Sequence, residues 1–80
     1  MAETTFPVRL RNTRTEAGMS IRTLAAAAML GPSAIVNYER DASSPSIEIC
    51  YRLAVALRVS PAWLAYGSGP RLVPDLSRGH

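Results

Sequence analysis

Helix-start signals recur along this 80-residue chain too closely for any long helix. Pro7, Ser20, the Gly31-Pro32 pair, Ser46 and the Ser60-Pro61 pair are the markers. A serine caps free helix amides, and a proline suits the first helical turn, where its missing N–H would be unpaired anyway. Strand signals are weak by contrast. No segment alternates apolar and polar side chains over six positions, and there is no Asn-Gly or Asp-Gly hairpin turn. The chain is therefore expected to be all-α and cut into short helices.

The first helix is expected from Pro7 to Ala17, with Leu10, Thr13, Arg14 and Ala17 inward and Gly18 as its stop. The second starts at Ser20 and carries Leu24, Ala25 and Ala28 inward; its alanine run leaves room for a closely packed neighbour. The third runs from Gly31-Pro32 to about Arg40, with Ile35 and Tyr38 as its apolar points and Ser33, Val36 and Asn37 on the other side. Ile47, Cys50, Leu53, Ala54 and Leu57 follow three- and four-residue steps and form one buried stripe on the fourth. Ser60 opens a short fifth helix with Trp63 and Leu64 inward. Residues 1–67 form one domain in this reading, and residues 68–80 a tail.

Composition narrows the function. Hydrophobic residues make up 48% of the chain, enough for a core, yet a single core of this size is marginal and a homodimer is attractive on stability grounds. All nine basic residues are Arg, and the net charge is +3, compatible with a polyanion partner. One Cys and one His, at the last position, leave no material for zinc or a Ser-His-Asp apparatus, so an enzyme, a metal or another cofactor is not expected. No run of 18 apolar residues could span a membrane. The opening Met1-Ala2-Glu3-Thr4-Thr5 lacks a charged and apolar leader, so the cytoplasm is the expected location.

One spaced string reaches further. Arg14 is followed by Gly18-Met19-Ser20, Leu24-Ala25, Ile35 eleven residues after Leu24, and Tyr38-Glu39-Arg40. Then come Pro45-Ser46-Ile47-Glu48, Leu53-Ala54, Ala56-Leu57 and Val59-Ser60-Pro61-Ala62-Trp63-Leu64. Over about residues 8 to 67 this resembles the lambda-repressor-like helix-turn-helix proteins of the phage repressor, Cro and XRE type. The resemblance implies a compact five-helix DNA-binding domain with its motif at helices 2 and 3. It departs from the family at Ile21, where a phosphate-touching Gln is usual, and at Met29, in the turn slot usually held by Gly. Gly31 stands for the usual Ser or Thr cap, Asp41 for a helix-ending Gly, and Thr13 for an apolar residue.

The resemblance also implies a site. The second helix of such a motif enters the major groove, so Pro32, Ser33, Ala34, Val36 and Asn37 would face bases. Arg22, Arg40, Ser43 and Ser44 would face phosphates. Arg14 and Glu39 are expected to form a structural ion pair; Arg9, Arg52, Arg58, Arg71 and Arg78 are read as solvated surface, and Cys50 as an inert core thiol. Val55, Val59, Trp63, Tyr66, Leu72 and Val73 would supply a dimer interface. The expected function is a sequence-specific transcriptional regulator, acting as a homodimer on an inverted-repeat operator of double-stranded DNA, with no small-molecule ligand. Phage Cro-like repressors, restriction-modification controllers and antitoxins are stand-alone proteins of this kind. The alternative is an antitoxin or other module of the same fold whose main partner is a protein.

Overall fold

A computed structural model describes residues 4–72. Among them stand five α-helices: α1 (Phe6–Glu16), α2 (Ile21–Ala27), α3 (Pro32–Glu39), α4 (Ile47–Leu57) and α5 (Pro61–Tyr66). The starts follow local chemistry. Ser20 Oγ accepts from the Thr23 amide at 3.0 Å, Ser46 Oγ from Ile49 at 3.2 Å and Ser60 Oγ from Trp63 at 3.4 Å. Gly31 precedes α3 without a side-chain cap, and Pro32 fills the first helical position.

The ends repeat one device. The amides of Leu30, Ala42 and Val59 reach back to the carbonyls of Ala25, Asn37 and Ala54, closing α2, α3 and α4. Each closure needs a left-handed residue just before it. Met29 (φ 61°), Asp41 (φ 61°) and Arg58 (φ 60°) fill those positions without being glycine. A left-handed residue with a Cβ costs about 1–2 kcal/mol. α1 and α5 end instead on left-handed glycines, Gly18 and Gly67.

The core gathers Leu10, Leu24, Ile35, Leu53 and Leu64, all fully buried, with Ala25, Ala28, Tyr38, Cys50, Ala54 and Leu57 around them. α1 lies against α3 and α5, α2 against α3 and α4, and α4 against α5. Two expected inward residues are exposed, and Arg14 and Trp63 are half-buried. Ile47 is 83% exposed, and Ala17 is exposed. Both stand at a helix end, Ile47 as the first residue of α4 and Ala17 as the cap of α1, where no neighbouring helix reaches to cover them. Ile21 and Ile49 are half-buried against the core.

The segment after α5 returns to the domain. The Ser60 amide donates to the Arg71 carbonyl at 2.7 Å, and Val59 and Leu72 form an antiparallel bridge. The Arg71 guanidinium sits over the Trp63 ring, 5.1 Å from its centre, and pairs with Glu16. Val73, Arg78 and His80 lie outside the described residues.

Candidate DNA interface

The exposed edge of α3 is set by its buried one. Ile35 and Tyr38 anchor the helix, and Ser33 and Asn37, four residues apart, therefore share the outer side. Pro32, Ser33, Asn37 and Arg40 are exposed; Ala34 and Val36 are half-buried at the margins. Arg22 is exposed in the first turn of α2, and Ser43 and Ser44 in the loop after α3. The edge thus offers an amide, hydroxyls, small apolar groups and flanking cations, and holds no carboxylate between Pro32 and Asn37.

The pose of α3 is held by charge. Arg14 Nε donates to Glu39 Oε2 at 2.7 Å, and Nη2 to Oε1 at 3.1 Å, so the fork grips both carboxylate oxygens. Nη1 donates to the Met19 carbonyl at 2.9 Å. One side chain of α1 thereby ties the end of α3 to the segment leading into α2. The Glu39 carboxylate holds the Arg14 pKa above its ordinary value. The pair is largely buried, where one-sided removal is costly.

Residues 10–64 match the helix-turn-helix family. The chain belongs to that family, in its lambda-repressor-like, XRE-type branch. Solved structures agree. The P22 c2 repressor, determined in complex with a synthetic operator, is 26% identical with a TM-score of 0.77, over 82% of this chain and all of that one. The restriction-modification controller C.AhdI of Aeromonas hydrophila is 37% identical, with a TM-score of 0.72, over 74% and 89%. The DNA-binding domain of SinR from Bacillus subtilis is 30% identical, with a TM-score of 0.70, over 74% and 87%. No curated protein matches the chain. This helix-turn-helix protein is a DNA-binding transcriptional regulator, in a family of regulators rather than enzymes. No helix among the described residues is long and apolar enough to cross a membrane.

A second face of the helix-turn-helix protein, along α4 and α5, is apolar. Ile47, Tyr51 and Val55 follow four-residue steps along α4 and are exposed, as is Tyr66 at the end of α5. They rim grooves floored by Cys50 and Ala65 on one side and by Ala54 and Pro61 on the other. Of the residues expected to make a dimer interface, Val55, Tyr66 and Leu72 are exposed and Trp63 is half-buried. Val59 corrects that expectation: at 2% exposure it belongs to the core and presents no surface.

Sequence reasoning placed Ile47 inward, assigned Tyr51 no role, and read Arg9 as solvated surface. Arg9 is not solvated surface; it is 7% exposed and bonded to backbone carbonyls of α5. The four-residue row 47, 51, 55 was a usable signal for the apolar face. Nothing in composition or spacing distinguished Arg9 from the other arginines. Cys50 is buried, and burial pushes its thiol pKa up, against a smaller opposing pull from the Arg9 cation.

Proposed function

We propose that this protein represses or autoregulates transcription as a homodimer on an inverted-repeat operator. The observation that carries the reading is the outward edge of α3, with Ser33 and Asn37 one helical turn apart and Ile35 and Tyr38 anchoring the opposite side. Asn37 would pair with adenine through its amide, and Ser33 would bond a base edge or a phosphate. Pro32, Ala34 and Val36 would pack on thymine methyls and sugars. Arg22, Arg40, Ser43 and Ser44 would hold the phosphates and set the register.

A single module of this size covers too little DNA to discriminate well alone. The exposed row Ile47, Tyr51, Val55 with Tyr66 supports a second copy as the occupant of the α4–α5 face, since contiguous exposed apolar surface marks an interaction site. Val55, Tyr66 and Leu72 join from the expected set; Trp63 would contribute its edge. Half-site centres then lie about 34 Å apart, one helical turn.

Selection from a random duplex library, with sedimentation of the free and bound protein, tests both parts. The expected result is a symmetric motif and a two-to-one complex. A selection that returns no symmetric motif removes the operator reading. A symmetric motif bound by independent monomers removes the dimer and leaves the apolar face to a different protein.

A further inference from the structure

Arg9 is a cation inside a small core, and all its partners among the described residues are neutral oxygens. Nε donates to the Leu64 carbonyl at 3.0 Å and Nη2 to the Ala65 carbonyl at 3.0 Å. Nη1 donates to the Thr4 carbonyl and, at 3.4 Å, to the Thr4 hydroxyl. Leu64 and Ala65 belong to the last turn of α5, whose carbonyls have no helical amide to receive. A cation there also meets the negative end of the helix dipole. The chain leaves α5 directly over the guanidinium: a Cβ at Gly67 would come within 3.0 Å of Arg9 Nη1. Arg9 is also near enough to Cys50 on α4 for its charge to be felt there. α1 and α5 therefore meet at this one side chain.

α5 has six residues, too few to hold a pose unaided. Arginine backbone and side-chain contacts pin both its ends. Arg71 receives the Ser60 amide and covers Trp63 near its start, and Arg9 forks onto its last carbonyls. An apolar side chain could fill the Arg9 volume, but only a planar fork fixes two successive carbonyls in direction as well as position.

We infer that Arg9 is a positioning residue for half-site spacing. It sets the angle of α5 on α1, and with it the apolar face that α5 shares with α4, so that two copies hold their reading helices at one separation. This rests on the homodimer proposed above.

The test uses full-length Arg9→Met, which keeps a long stem without the fork, and Arg9→Lys, which keeps the charge. Each is titrated on the selected operator and on operators with the half-sites moved one base pair closer or further apart, alongside sedimentation and circular dichroism. The intact protein is expected to prefer its own spacing at least tenfold. In folded Arg9→Met and Arg9→Lys that preference shrinks to within about threefold and dimer dissociation rises about tenfold, while affinity for unrelated duplex DNA stays unchanged. A variant that melts earlier yet keeps its spacing preference and dimer affinity overturns the proposal and leaves Arg9 a packing residue. Failure of both variants to fold does the same, because Arg9 would then serve the whole core. If the intact protein binds its operator as independent monomers, the dimer reading fails, and that result is read before any variant is made.

Discussion

Two arginines five residues apart on α1 hold the two ends of this protein, and they do it by different chemistry. Arg14 meets the polar end, which carries the proposed reading edge of α3, through a carboxylate, gripping both oxygens of Glu39. Arg9 meets the apolar end through carbonyls of α5. Five residues of helix turn the direction of a side chain by roughly 140°, so one short helix can face both neighbours. A paired charge and a charge on neutral oxygens differ in what remains when one partner is removed. At the Arg14 end the remainder is a buried ion without its counter-ion. At the Arg9 end it is a pair of carbonyls at a helix terminus, which water can reach more cheaply.

The largest test of this contrast is Glu39→Ala. It strands the Arg14 guanidinium, and the expected loss is about 3 kcal/mol. At this size that lowers the melting temperature by roughly 12–24 °C. Arg9→Met should cost less, about 1–2 kcal/mol, because no charge is left behind. Thermal melts of both variants at one pH compare them directly. Equal losses would mean that the two ends are held with equal strength and that the contrast has no energetic content. Arg14 itself adds no pH dependence near neutrality. Its raised pKa keeps it charged there, and its contribution disappears only when pH rises through that value, far above neutral.

The next effects are on binding and separate two kinds of residue at the polar end. Asn37→Ala should weaken specific binding by about 1–3 kcal/mol and relax one base pair per half-site. Arg40→Ala should weaken all duplexes alike and reduce the salt slope by about 1 per site, because releasing a phosphate counter-ion takes no account of sequence. Titrations at several salt concentrations, on operator and on unrelated DNA, distinguish them. If both variants lose affinity in the same way, α3 is not oriented on the duplex as proposed.

How far these ends could be read in advance depended on the kind of interaction. The helix starts were legible because Ser20, Ser46 and Ser60 act on amides three residues away. The buried points of α2 and α3 were legible from helical spacing. Ile47 was misread because periodicity gives a direction around a helix but not whether a neighbour extends far enough to cover its end. Val59 was assigned to the surface although it closes the turn after α4 and bridges to Leu72, a contact made with a segment twelve or more positions away. Arg9 was unreadable for the same reason. Its partners are backbone carbonyls, which every residue carries, so no side-chain identity at the far end announces them.

The smallest expected effects lie in the turns, where the two ends again invite comparison with one another and with the loop between them. Met29 is left-handed and 77% exposed, so its side chain contributes little packing and its backbone carries the strain. Met29→Gly relieves about 1–2 kcal/mol of that strain. The added freedom of the unfolded chain takes back about 0.4–1 kcal/mol. The net expectation is a gain of about 0.5 kcal/mol, or roughly 2–4 °C in melting temperature. Asp41 has the same φ of 61° and closes α3 in the same way, yet Asp visits this region several times more readily than Met. Asp41→Gly should therefore gain less, near the limit of detection. Differential scanning calorimetry of both variants in one buffer reads the order. A larger gain at Asp41 would show that the Met29 backbone is not the more strained of the two. A loss at Met29 would show that its exposed side chain packs after all, and that the motif turn is stabilised by contact rather than merely tolerated.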